Sequence, residues 1–326
     1  MAPTATGVPR SAWLPDDLDV IRTAESLGYD TLWASEGQGK TAFGKLERWA
    51  TVTDSVRLAT GIVNIYSRTP AALAQAVATL DEHSGGRAML GLGTAHPGVV
   101  EAFHGVEFDR PLARLAEYIE LVRRYLAGVA EPYDGEVFSI DRTSFWEAFE
   151  PREDVSIYNA AFGPANVRLT GELADGWLPN ILPLDAVEEA IDLLETGAER
   201  AGRSLDDIDV AMYVPAAVAE DPAEARYAAA HHVVRYWHGE IPGYYDRVAR
   251  EAGYGADIDA IQATDTREAA AEAVSDELLD LVAVAGTPDE VRSQLAAVID
   301  AGIEHPVLRP VGDEAMVTRT LETLAP

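Results

Sequence analysis

The stretch VRLATGIVNIYSRTPAALAQAVATLDEHSGGRAMLGLG, residues 56–93, holds one complete architectural unit. Val56 to Val63 is a short apolar run that reads as a strand. Pro70 stands where the first turn of a helix tolerates proline, and Ala71 to His83 carries apolar residues at helical spacing. Arg87 to Gly93 reads as the next strand. A strand, a helical crossover and a second strand imply parallel pairing.

The same alternation extends in both directions. Asp30 to Ser35, Val155 to Ala160, Trp177 to Leu182, Ile208 to Ala219 and His305 to Val311 read as further strands. Asp16 to Leu27, Asp185 to Ala201 and Pro288 to Ala301 read as amphipathic helices, with Gly202 as a stop signal. A closed (β/α)8 barrel and an open doubly wound sheet both fit this pattern, and the number of units favours the barrel. Two places break the rhythm. The first strand has only a short candidate, Pro3 to Pro9, with proline at both ends. Asp221 to Leu281 is helical throughout and too long for a simple crossover, so it is expected as extra helices over one mouth of the barrel, between the seventh and eighth strands. No low-complexity linker divides the chain, so residues 1–326 are expected as a single barrel domain carrying that insertion.

Composition narrows the function. Asp plus Glu number 55 against 25 Lys plus Arg, a net charge of -30. Such a surface repels nucleic acid and anionic membranes. Acidic excess with only two lysines, Lys40 and Lys45, resembles proteins of halophiles, haloarchaea among them. There is no cysteine, which excludes disulfides, thiolate catalysis and cysteine-ligated iron–sulfur clusters. No apolar run approaches the roughly 20 residues that span a bilayer. Met1 to Pro15 lacks an apolar signal region, so a cytoplasmic protein is expected. The seven histidines give no metal-binding spacing, and His231 and His232, adjacent on a helix, are expected in surface or packing roles. Tyr236, Trp237, Tyr244 and Tyr245 are expected mainly to pack helices together.

A barrel places its chemistry at the C-terminal ends of its strands. There the sequence offers Ser35 and Glu36; Gly61, Ile62, Val63 and Asn64; Gly91, Gly93, Thr94 and His96; Ala160, Ala161, Gly163, Pro164 and Asn166; and Asn180. Glycines 91 and 93 permit either close approach of a planar ring or phosphate, or simply tight turns. Gly163-Pro164 runs into a helix beginning near Ala165, whose free amides favour a phosphate. Asn166 reads either as the N-cap of that helix or as a ligand contact.

Gly61-Ile-Val-Asn-Ile-Tyr-Ser-Arg-Thr-Pro70, with Ala78-Thr-Leu-Asp81 and Gly86-Arg-Ala-Met-Leu-Gly-Leu-Gly93, resembles the luciferase-like family, in particular its F420-dependent branch. Phe162-Gly-Pro164, Leu173-Ala-Asp-Gly176, Asp206-Asp-Ile-Asp209 and Gly286-Thr-Pro-Asp-Glu-Val291 continue the resemblance. It implies a (β/α)8 barrel, usually a homodimer, that binds coenzyme F420, or alternatively FMN, and acts on a small organic substrate. It further implies a bulge with a non-prolyl cis peptide at Gly61–Ile62 that supports the cofactor ring. Ser35, Val63, Asn64, Gly93, Thr94 and Ala161 are expected beside it, with Gly163 and Pro164 receiving its phosphate. Glu36 matches a family acid near the cofactor, and Glu36 and His96 are the candidates for proton handling. No metal is implied. The family's reductase carries an acid on its first strand, where Thr4 to Val8 has none. That departure favours an oxidoreductase on a different substrate. An FMN-dependent monooxygenase and a non-catalytic flavin-binding protein stand as alternatives.

Overall fold

In the computed structural model, which describes residues 10–145, 151–238 and 245–326, the quoted unit folds as strand, helix and strand. Thr69 caps the helix Pro70–Ser84 by accepting from the Ala72 amide, with Pro70 in the first turn. Gly85, at φ +71°, ends it in the left-handed conformation that glycine adopts without cost.

Among the described residues, eight parallel strands close on themselves: β1 Ser11–Trp13, β2 Thr31–Ala34, β3 Arg57–Thr60, β4 Ala88–Gly93, β5 Ile157–Ala160, β6 Gly176–Trp177, β7 Asp209–Val218 and β8 His305–Pro310. Closure runs through the pairing of β1 with β8, where Ser11 sits opposite Val307. The fold is therefore the (β/α)8 barrel. Trp33, Ala59, Met89, Tyr158, Leu178, Ala211, Tyr213 and Val307 fill its interior, with Trp13 and Ile62 packed against them. A larger apolar core lies between the strands and the surrounding helices.

Four strand boundaries differ from the sequence reading. The candidate first strand Pro3 to Pro9 lies outside the described residues, and β1 is Ser11–Trp13. The run Val56 to Val63 breaks at the cis Gly61–Ile62 bond, and Val63–Asn64 resumes as a short piece paired with Leu92 and Gly93. The expected strand Trp177 to Leu182 stops at Trp177. Pro179 cannot donate to a ladder and Ile181 turns left-handed at φ +56°, so only an isolated bridge from Asn180 to Tyr213 continues the pairing. Finally, Val284–Gly286 is an unanticipated short strand, lying parallel to the last three residues of β7.

Within 221–281, the described residues form helices Pro222–Val233, Tyr245–Glu251, Gly255–Gln262, Arg267–Glu272 and Asp276–Val282. Alanines and larger side chains such as Trp237, Ile258, Ile261 and Leu278 form an apolar cluster that also takes in Ile181, Ala217, Ala285 and Val311 of the barrel.

The N-terminal end of the barrel is closed by a polar plug. His305 on β8 is hydrogen-bonded to Ser11 on β1 and donates through Nδ1 to Asp209 on β7 at 2.6 Å. Tyr158 on β5 donates to the same carboxylate at 2.5 Å. Burial pushes the Asp209 carboxyl up, but His305 and Tyr158 outweigh it and hold it below the usual carboxylate range. The serine–histidine–aspartate order resembles a hydrolytic triad. Ser11 and His305 are nevertheless fully buried, at the end of the barrel that supports stability and not chemistry.

Candidate active site at the barrel mouth

At the opposite, C-terminal mouth, the bulge after β3 is fixed from two sides. The Tyr213 hydroxyl, from β7, donates to the Gly61 carbonyl at 2.8 Å. The Glu36 amide, just beyond β2, donates to the Ile62 carbonyl at 3.2 Å. Gly61 is required here because a Cβ would lie 1.9 Å from the Tyr213 hydroxyl oxygen. Burial pushes the Tyr213 phenol up, so it stays a neutral donor.

The two glycines of β4 serve the same bulge. A Cβ on Gly91 would lie 2.1 Å from the Thr60 carbonyl oxygen, and one on Gly93 would lie 3.2 Å from Ile62 Cδ1. Their smallness thus seats the Ile62 side chain. The bulge in turn presents half-buried Ile62 at the edge of the barrel interior.

Glu36 is where the sequence placed it, but both its oxygens are engaged. It forms a two-pronged ion pair with Arg68, one arm at 2.9 Å, and accepts from the Ala42 amide at 2.9 Å. Its side chain is 10% exposed and that of Arg68 20%, so the pair is largely shielded from water. This arrangement ties the ends of β2 and β3 together and leaves little capacity for proton transfer. Ser35 contributes its carbonyl to Lys45. Asn64 accepts from the Tyr66 amide at 2.9 Å and reaches His104 at 3.1 Å. His96 follows β4 on a turn where Ala95 adopts φ +53°, and burial holds its imidazole below the ordinary value. Thr94, 7% exposed, sits in the same loop.

Two expected cofactor contacts face elsewhere. Val63 and Ala161 are fully buried in the core between barrel and helices, and the Ala161 carbonyl accepts from Trp177 Nε1 at 2.9 Å. In extended chain successive side chains alternate, so Val63 turns outward where Ile62 turns in. Asn166 is not the cap of that helix. Gly163 is the N-cap, and Asn166 is buried while accepting from Asn159 at 3.0 Å.

Gly163 and Pro164 open the helix Pro164–Leu173 without a side-chain capping acceptor. Arg247, from the inserted helices, places Nη2 within 3.8 Å of where a Gly163 Cβ would stand. The insertion meets the mouth at two more points. Tyr245 packs edge-on against Phe162, centroids 5.3 Å apart, and the Tyr236 hydroxyl accepts from Arg309 on β8 at 2.7 Å. Trp237 is buried among the inserted helices, Tyr236 and Tyr245 reach the barrel, and Tyr244 lies outside the described residues. Sequence reading missed Tyr213, Arg309 and Trp13. Each sits inside a strand, where an isolated aromatic or arginine carries no local signal of function.

Residues 4–305 match a family model described as luciferase-like monooxygenase. The chain belongs to the luciferase-like family. A Mycobacterium tuberculosis protein named for coenzyme F420-dependent oxidoreductase activity is 33% identical over 308 residues, covering 87% of this chain and 88% of its own. The 5,10-methylenetetrahydromethanopterin reductase of Archaeoglobus fulgidus is 31% identical over 308 residues, covering 90% and 89%. The solved F420-dependent tetrahydromethanopterin reductase of Methanopyrus kandleri superposes with a TM-score of 0.80 at 27% identity, covering 98% of this chain and 97% of the other.

Proposed function

We propose that this chain is a coenzyme F420-dependent oxidoreductase that exchanges a hydride with a small organic substrate at the C-terminal mouth of the barrel. The observation that carries the reading is the Gly61–Ile62 bulge, buttressed by Tyr213 and Glu36 and seated by Gly91 and Gly93. The residues present suit the cofactor. Ile62 offers an apolar support for a planar ring. The Gly163–Pro164 helix terminus and Arg247 offer positive potential for a phosphate, which stands out in a chain of net charge -30. When bound, the deazaflavin supplies the hydride-carrying carbon.

The protein's own contribution is placement. Tyr213 and the Glu36–Arg68 pair hold the bulge so that Ile62 keeps its height at the mouth. His96, half-buried and held neutral near pH 7, is the group placed to take up or return a proton. Glu36 acts through Arg68 and the bulge, as an anchor. A homodimer and a halophilic source remain parts of this proposal.

The deciding experiment is titration of the protein with F420 and, separately, FMN in molar salt, following tryptophan fluorescence; Trp13 and Trp33 line the barrel interior. Saturable binding of F420 in preference to FMN is expected. Preference for FMN would move the chain to the monooxygenase reading, and binding of neither would remove the cofactor account.

A further inference from the structure

Between β8, the end of β1 and the inserted helices lies a cavity of about 520 Å³. Arg235, Arg267 and Arg309 line it together with His231 and His232, and Glu268 is its acidic neighbour. Such a gathering of positive charge is unexpected in a chain with 55 acidic and 25 basic residues. Among the described residues, none of the three arginines forms an ion pair with a carboxylate. Each is held instead by neutral groups. Arg309 donates to Tyr236 and stacks over the Trp13 ring at 4.0 Å. Arg267 donates twice to the His231 carbonyl, at 3.1 and 2.7 Å. Arg235 lies over the Tyr236 ring at 5.9 Å. The His232 Nε2 atom is buried with no hydrogen-bond partner among the described residues. Burial first, and then Arg309, Arg235 and Arg267, push its imidazole well below the ordinary value.

Three guanidiniums and a neutral imidazole around one cavity repel any further cation. Glu268 offsets part of the charge of Arg267, and the remaining donors, held by rings and carbonyls, leave charge to be balanced by a guest. The cavity also adjoins the chemistry. Trp13 forms its wall and packs on the barrel interior together with Ile62. Arg309 lies close enough to Tyr213 to act on its phenol electrostatically.

We propose that this cavity receives the anionic head group, carboxylate or phosphate, of the organic substrate, leaving the reacting carbon to extend past Trp13 toward Ile62. The assignment rests on the oxidoreductase reading above and specifies its substrate class.

Calorimetric titration of the full chain at constant ionic strength tests it, with inorganic phosphate and succinate as separate probes and F420 titrated independently. The variants are Arg235→Gln and Arg309→Gln, with Arg235→Lys as the charge-preserving control. Saturable binding of one probe is expected, weakened at least tenfold in both Gln variants, largely retained in Arg235→Lys, and with F420 affinity unchanged throughout. Phosphate binding alone would identify a phosphate ester, and succinate alone a carboxylate. F420 binding without either anion would overturn this proposal while leaving the cofactor reading intact. Equal anion affinity in the Gln variants would overturn it as well. So would a matching loss of F420 affinity, which would give the cavity to the cofactor's own anionic groups. Anion binding without F420 binding would sink the oxidoreductase reading and the substrate assignment with it.

Discussion

The hydroxyl of Tyr213 and the carbonyl of Gly61, 152 residues apart in the chain, meet at 2.8 Å across the barrel mouth. One side chain of β7 thereby sets the position of the bulge that follows β3. Tyr213→Phe leaves that buried carbonyl unpaired, at a cost of about 1–3 kcal/mol. F420 affinity is expected to fall about tenfold, equivalent to about 1.4 kcal/mol. Gly61→Ala should cost more, because its Cβ would meet Tyr213 at 1.9 Å. Fluorescence titration beside a melting curve checks both. A lowered Tm with unchanged F420 affinity would make the contact purely structural.

His96 and Glu36 should separate kinetically. If His96 accepts a proton, kcat/KM rises with pH to a plateau, with its midpoint below about 6.5 because burial disfavours the charged imidazole. His96→Asn should abolish that acidic limb. Glu36→Gln should keep the limb but lower stability by about 2–3 kcal/mol, since Arg68 loses its shielded partner. A pH profile measured once a substrate is in hand, with Tm for each variant, distinguishes these roles. Loss of the limb in Glu36→Gln alone would reverse them.

The polar plug predicts acid sensitivity. Asp209 has a folded pKa below its unfolded value of about 3.9, so its stabilisation is present above that pH. It is lost as the pH falls through the folded value, because the unfolded chain then binds the extra proton. Asp209→Asn should lower stability near pH 7 by about 3 kcal/mol and flatten the decline below about pH 4. Urea unfolding across pH 2–7 reads this directly, and parallel curves for the two proteins would refute it.

Salt should stabilise the fold. With a net charge of -30, self-repulsion is strong in dilute buffer, and at 1 M salt the Debye length shrinks to about 3 Å. Tm in 2 M KCl is expected well above that in 20 mM buffer, and equal values would count against the halophilic reading.

How far the sequence carried depended on whether a signal was local. Helix starts at Pro70 and Pro288 and the stop at Gly202 were legible because proline and glycine mark them within a single turn. The bulge at Gly61–Ile62 came from the family resemblance, since nothing in the composition of residues 56–63 distinguishes it from a continuous strand. Strand β6 was overextended because Ile181 and Leu182 look like strand residues, although the chain turns away at them. Tyr213, Trp13 and Arg309 were invisible because their roles arise only when β7, β1 and β8 close around one axis. His231 and His232 pack as read, against Tyr227 and Tyr236. About 100° apart on their helix, they both border one cavity, a juxtaposition that spacing alone does not reveal.

The chain leaves the barrel after Val218 and returns at Val284 beside the strand it left, with Ala216 opposite Val284 and Val218 opposite Gly286. Paired strands stand about 4.8 Å apart, so the two attachment points nearly touch. The intervening helices therefore form a cassette that supplies none of the barrel's strand pairings among the described residues and whose length hardly affects the entropy of closing the loop, although its helices bury Ala217, Ala285 and Val311 of the barrel. Because this cassette supplies Arg235 and Arg267 while the barrel supplies the bulge, the proposed anion site can be altered from the inserted segment without touching the bulge.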